Sequence, residues 1–438
     1  MSDFVPNEHE KPIQDFVFMK EQIKERPLNK RKLIRRTLIT ASMAVIFGMI
    51  ACLTFLVLEP LISNWLYPEE TPQAIEFPED TEEMLPEDML ITEESENAEA
   101  QIQQPTIVTQ TKELEIEDYQ MLYDKLYATA KEVSKSVVTV TGVTSNVDWF
   151  DDTFESKGRS AGFIIAENGR EYFVVTDGSR LKDAESISVA FADGTQATAE
   201  IRKVDPVTGL AVITVMSNQL SNETKENIAV AALGNSNASN LVGTPVIALG
   251  SPLGTSNSIL YGTITSTGTT LNLVDSSYKL LTTDMYASKS AGGVLVTTKG
   301  RVIGIVNMQY NSADMENLLS AIGISELKKT VEMLSNEQDK AYFGIYGTDV
   351  TWEAYTNLNV PLGAYVTSIE MDSPAMQVGI QSGDIIVRIG ETDITSYGEY
   401  ISTLHKLTPE TPVMVTVKRQ VAEEYKEVEI EVTPAVLQ

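Results

Sequence analysis

The 438-residue chain holds two histidines, His9 and His405, and one cysteine, Cys52. Any reaction that needs an imidazole base must use one of two residues near opposite ends of the chain. A single cysteine excludes an intramolecular disulfide and a cysteine-cluster metal site, and the chain is expected to need neither metal nor cofactor. Lys289-Ser290 offers one further combination, a Ser–Lys dyad, which works only if the lysine is desolvated. With 62 acidic and 33 basic side chains the net charge is −29. That argues against a nucleic-acid partner, because phosphate binding needs a basic face.

The elements that would position these residues are unevenly charged. Residues 1–36 carry nine basic and six acidic side chains and form a basic tail. Residues 37–58 (TLITASMAVIFGMIACLTFLVL) carry no charge, and a 22-residue helix spans a hydrocarbon core of about 30 Å. Basic residues precede this run and Glu59, Glu69 and Glu70 follow it. The positive-inside rule therefore predicts a single-pass cell-membrane protein, N-terminus cytoplasmic and residues 59–438 outside. Residues 59–118 hold 18 acidic side chains and only Lys112, which predicts an extended, disordered linker.

Beyond it the composition becomes globular. Leu122, Leu126, Ala130 and Val133 recur at helical spacing. About a dozen short β-rich runs follow between residues 137 and 308, separated by turn signals such as Asp193-Gly194 and Lys299-Gly300. This pattern predicts antiparallel barrels or sandwiches, closed by a helix over 325–335. Two strands are expected to end at 268 and restart at 279. A second unit, from 341 onward, reads as strands near 344–350, 364–369, 385–389, 412–418 and 425–432. It includes a helical turn after Ser373-Pro374 and a helix over 397–407.

Several segments occur in the order seen in one family. Gly162-Phe163-Ile164-Ile165, Leu233-Gly234-Asn235-Ser236, Ala248-Leu249-Gly250-Ser251-Pro252-Leu253-Gly254 and Gly292-Gly293-Val294-Leu295-Val296 resemble the HtrA-type (DegP-like) trypsin-fold serine proteases. In the second unit, Tyr342-Phe343-Gly344-Ile345 and Gly383-Asp384-Ile385-Ile386 resemble the PDZ domain of the same family. The resemblance covers residues 130–433. It implies a mainly β protein, a trypsin-like double β-barrel at 119–338 followed by a PDZ domain at 341–434.

The family's chemistry needs a serine nucleophile, a histidine base and an orienting aspartate. At the position of the histidine, Val175-Thr176-Asp177-Gly178-Ser179 places Ser179. At that of the aspartate, Asp205-Pro206-Val207-Thr208-Gly209 places Gly209. At that of the nucleophile, Lys289-Ser290-Ala291-Gly292-Gly293 places Ala291. Ser290 is offset by one residue, and Lys289 replaces the glycine that the family uses in its oxyanion hole. With no catalytic residue at Ser179, Gly209 or Ala291, the chain is expected to be a pseudoprotease rather than an enzyme. The alternative is a serine-type endopeptidase of envelope protein quality control that uses a nonstandard site.

In the PDZ unit the resemblance implies that Tyr342, Phe343, Gly344 and Ile345 bind peptide. Successive backbone N–H groups there would grip a terminal carboxylate, and the peptide would lie between the following strand and helix 397–407. The expected partners are protein C-termini or unfolded segments, the membrane, and HtrA homologues in a homo- or hetero-trimer. The expected role is that of an adaptor, sensor or chaperone-like scaffold.

Overall fold

The computed structural model describes residues 35, 38–52, 54, 73–80, 115–143, 158–182, 184–422 and 424–437. The chain divides into two units, Met1–Thr71 and Pro72–Gln438. In the first, residues 38–52 are helical, and no helix among the described residues is long and apolar enough to cross a membrane. Residues 37, 53 and 55–58 of the expected span, the basic tail apart from Arg35, and residues 59–72 and 81–114 of the acidic stretch lie outside the described residues.

One part of the acidic stretch is not a spacer. Ile75 is buried, and its N–H and C=O bond the side-chain amide of Asn336 at 3.0 and 2.8 Å. Asp80 pairs with Lys328. An apolar side chain with a satisfied backbone outweighs the local charge density that predicted disorder.

Helix α1 (Ile116–Ser134) opens on a capping box between Glu115 and Asp118. It packs Leu126, Ala130 and Val133 on the core and leaves Leu122 exposed. The first closed barrel comprises β1 (Val137–Val143), β2 (Arg159–Glu167), β3 (Glu171–Asp177), β4 (Ser186–Ala190), β5 (Gln196–Val204) and β6 (Leu210–Met216), in the order β1-β2-β3-β6-β5-β4. The second comprises β7 (Pro245–Ser251), β8 (Ser258–Leu273), β9 (Ser276–Tyr286), β10 (Gly292–Thr297), β11 (Val302–Val306) and β12 (Leu318–Gly323), in the order β10-β11-β12-β9-β8-β7.

Successive side chains of a strand point to opposite faces, and here both faces are apolar. Ile164, Val174 and Ile213 fill the first barrel. Their neighbours Phe163, Val175 and Val212 turn to a shared core with Ile247, Leu249 and Val294 of the second. Each such burial contributes about 1.5–3 kcal/mol, so the barrels are locked face to face and the loops at their junction are held in register.

The β8–β9 hairpin is longer than the sequence suggested. It runs to Leu273, with register shifts between Ile264 and Thr269, and returns from Ser276, with Val274 and Asp275 at its tip. Helix α2 (Ile324–Ser335) closes the barrel region. The PDZ-type unit follows, with a two-stranded pair of β13 (Ala341–Tyr342) and β20 (Ala435–Val436). Its main sheet is ordered β14 (Ile345–Asp349), β15 (Ala364–Ile369), β16 (Ile385–Ile389), β18 (Val413–Val421) and β19 (Glu424–Val432), with β17 (Thr392–Asp393) beside β16. Helix α3 (Tyr397–Leu404) is N-capped by Ser396 and packs Tyr397, Tyr400 and Leu404 into this core. β14 is an edge strand of that sheet.

Candidate functional site

Two places in the Pro72–Gln438 unit gather the residues singled out in the sequence. The first is a cleft of about 450 Å³ where the loops of the two barrels meet, and Ser179, Gly209 and Ala291 all line it. The shared core brings these three positions together.

Ser179 lies in the turn after β3. Its N–H and hydroxyl both donate to Asp177 Oδ1, at 3.0 and 2.6 Å. Arg180 crosses the cleft: its Nε donates to Asp177 Oδ2 at 3.2 Å, and its Nη2 reaches the carbonyl of Ser290 at 3.2 Å. A guanidinium thus joins the turn of the first barrel to the loop of the second.

Gly209 has φ = 72°, a left-handed conformation that glycine adopts without strain. Its carbonyl accepts the Gly178 N–H at 2.8 Å, which ties the turns of Ser179 and Gly209 together. The turn is anchored by Asp205, whose fully buried carboxylate accepts the N–H and hydroxyl of Thr208 and the ammonium of Lys340, the last at 3.1 Å. Burial works against the charge of Lys340. Tyr278 and Asp205 more than offset it and hold the ammonium above its ordinary pKa.

Around Ala291 the loop is bonded to itself. The Ala291 N–H donates to the Ser288 carbonyl at 2.9 Å, and the Ser290 N–H to Ser288 Oγ at 3.2 Å. Ser288 and Ser290 share a hydroxyl–hydroxyl bond of 2.9 Å. Lys289 is exposed and paired with Glu316, which pushes its pKa up. A lysine base needs the opposite shift, so the Lys289–Ser290 dyad does not form. None of the residues lining the cleft is a histidine. His405 instead ends α3, half-buried, with Nε2 shielded and without a hydrogen-bond partner among the described residues. Desolvation, aided by Lys340, lowers its pKa to about 4. Among the described residues no cluster could hold a metal.

The second place is the loop Tyr342–Ile345. Ser373, N-cap of the short helix Pro374–Gln377, sits against Gly344, whose φ is 86°. The loop presents its N–H groups inward, and they converge on one carboxylate. Phe343 and Gly344 donate to Asp275 Oδ2 at 2.8 and 2.7 Å, and Ile345 donates to Asp275 Oδ1 at 3.0 Å. The Tyr400 hydroxyl adds a fourth bond, at 2.5 Å. The Asp275 N–H donates to the Ile345 carbonyl at 2.8 Å, and the Tyr397 hydroxyl reaches the same carbonyl at 3.0 Å. Burial holds the Asp275 carboxyl above its ordinary pKa, and the four donors lower it only in part.

Asp275, Tyr397 and Tyr400 were not legible as site residues. The one signal at Asp275 is that aspartate tolerates a left-handed turn, and its φ is 48°. The tyrosines read as apolar residues of an amphipathic helix.

The chain matches the trypsin-like peptidase domain over residues 160–305 and the PDZ domain over residues 322–432. It is similar to the Serine protease Do-like HtrA of Bacillus subtilis, 27% identical over 310 residues, covering 64% of this chain and 67% of that protein. It is also similar to a probable periplasmic serine endoprotease, DegP-like, of Chlamydia trachomatis, 29% identical over 286 residues, covering 63% of this chain and 53% of that protein. The chain thus spans between about half and two thirds of the length of these relatives. A solved structure, HtrA-type protease AlgW with tripeptide, aligns over 72% of this chain and 97% of that one at 20% identity, with a TM-score of 0.50, and shares the fold. These relatives correct the expectation that the chain is not an enzyme: they are named as serine proteases or endoproteases, and the matched domain is a trypsin-like peptidase domain. Ser179, Gly209 and Ala291 are three side chains, whereas the match to a trypsin-like peptidase domain spans residues 160–305.

Proposed function

We propose that this chain, HtrA-like in joining a trypsin-like peptidase domain to a PDZ domain, is a membrane-anchored protein that recognises polypeptides outside the cytoplasm. Residues 37–58 would anchor it with the basic tail inside, and it would serve as an adaptor, sensor or chaperone-like scaffold for C-termini and unfolded segments. The carrying observation is the loop Phe343–Gly344–Ile345, whose three N–H groups hold a carboxylate at 2.7–3.0 Å. Recognition by backbone donors demands a carboxylate but little of the side chains around it, as suits a receptor for varied C-termini. The barrel cleft, lined by Ser179, Gly209 and Ala291, would hold an extended segment of the same polypeptide, and self-association with HtrA-type chains would place several clefts side by side. The test is a peptide array on the full chain in detergent, each peptide presented with a free and with an amidated C-terminus. Preferential capture of the free acids is expected, and equal capture sinks the reading.

A second reading is favoured by the relatives' names: a serine-type endopeptidase whose nucleophile is a cleft serine outside the usual position. Ser290, on the cleft wall, is the candidate. Casein digestion by the full chain that disappears in Ser290→Ala and persists in Ser179→Ala supports it; digestion unchanged in Ser290→Ala removes that residue from consideration.

A further inference from the structure

The carboxylate in the PDZ loop belongs to the chain itself. Asp275 lies at the tip of the β8–β9 hairpin of the second barrel, and its side chain takes all three loop N–H groups and the Tyr400 hydroxyl. The main chain of the tip also pairs with the PDZ edge strand, since the Asp275 N–H donates to the Ile345 carbonyl. A peptide that binds by its C-terminus makes the same two kinds of contact: a carboxylate to the loop and a backbone bond to the edge strand. Asp275 is almost fully buried there, at 4% exposure. Tyr397 closes the groove from the other side. Its ring packs against Gly347 of β14, so that a Cβ on that glycine would fall 2.4 Å from the ring, and its hydroxyl bonds the Ile345 carbonyl.

Resting on the reading of Tyr342–Ile345 as a carboxylate-binding loop, we propose that Asp275 is a built-in ligand of the PDZ domain. A polypeptide C-terminus can enter the loop only by displacing the β8–β9 hairpin tip. Two carboxylates cannot share the three donors. A group tethered in the same chain competes at an effective concentration on the order of millimolar or higher. Apparent affinity for an external peptide falls by the fraction of molecules in which the loop is vacant. The hairpin extension beyond residue 268 lays Leu271 and Leu273 against the core that the barrels share and carries its tip on to the PDZ domain, where Asp275 reaches the loop.

The experiment compares the full chain with Asp275→Ala and Asp275→Asn. The probe is a pool of decapeptides of varied C-terminal sequence, each with a free and with an amidated terminus. Asp275→Asn keeps the volume of the side chain but removes its charge, so it serves if Asp275→Ala does not fold. The expected result is affinity for the free acids higher by about tenfold or more in either variant than in the wild type, with amidation abolishing the gain. Equal affinity of wild type and variants for the free acids, with the amides excluded from both, overturns the proposal and leaves the carboxylate-loop reading standing. Free acids and amides binding alike in the variants overturns that reading and the proposal with it. A measurement without variants is amide exchange in the wild-type chain: saturating free-acid peptide is expected to speed exchange across the 269–279 hairpin while residues 343–345 stay protected. A hairpin unchanged by bound peptide overturns the proposal.

Discussion

Between the barrels lies a cleft that Ser179, Gly209 and Ala291 line. In the PDZ-type unit the loop Phe343–Ile345 is filled by Asp275. The first site is distinguished by the side chains that line it, the second by being already occupied. The difference follows from what each kind of site is made of. A nucleophile and its base are side chains, and the core that holds Phe163, Val175 and Val294 in place does not depend on them. A carboxylate receptor is made of backbone N–H groups, which persist as long as the loop keeps its shape. Whether it is vacant depends on another part of the chain.

Lys340 joins the two regions, because it lies at the entry to the PDZ unit and pairs with the buried Asp205 behind the cleft turn. Lys340→Ala strands that carboxylate and is expected to cost about 3–5 kcal/mol, measured as a shift in the urea unfolding midpoint. The neighbouring Lys203–Asp339 pair is more exposed, and Lys203→Ala is expected to cost under about 1 kcal/mol. Equal costs would show that the two regions are not joined through Asp205.

The next effect is a pH dependence centred on the PDZ side. His405 has a folded-state pKa of about 4 against an ordinary 6.5. As pH falls, the unfolded chain takes up the proton first. The stabilisation is therefore complete above about pH 6.5 and lost progressively down to about pH 4, some ~3 kcal/mol in all. Lys340, Asp205 and Lys329 are the charged groups acting on the ring. His405→Gln removes this contribution, so the difference in stability between variant and wild type should change with pH across that window. Parallel curves would refute the assignment.

A smaller effect tests loop shape. A Cβ at Gly344 would fall 2.2 Å from Ser373 Cβ at a φ of 86°. Gly344→Ala is expected to lower stability by about 1–3 kcal/mol and to weaken free-acid peptide capture, whereas Gly209→Ala, whose Cβ meets nothing within 4 Å, costs only the backbone strain. The smallest effect belongs to the cleft rim: Lys289→Ala removes a solvent-exposed pair with Glu316 and should leave the unfolding midpoint unmoved. A large shift would mean that this loop is held by its lysine rather than by the Ser288 bonds.

The sequence by itself determined the double barrel, the PDZ module, the loop Tyr342–Ile345 and the identities of the residues at the three cleft positions. These rest on local signals: short β-rich runs, turn residues, and short segments in a fixed order. It did not reveal the docking of residues 73–80, where Ile75 sits in an acidic run that reads as disordered. Nor did it reveal the length of the β8–β9 hairpin: Leu271 and Leu273 alternate with exposed Thr270 and Asn272 and pack on the core, but Gly268-Thr269-Thr270 interrupts the apolar pattern ahead of them. Only the tertiary structure decided which carboxylate fills the PDZ loop. Asp275 and Phe343 are 68 positions apart, and an aspartate at a hairpin tip carries no mark of its partner. The loop's N–H groups specify a carboxylate, but which one arrives is a matter of geometry between domains.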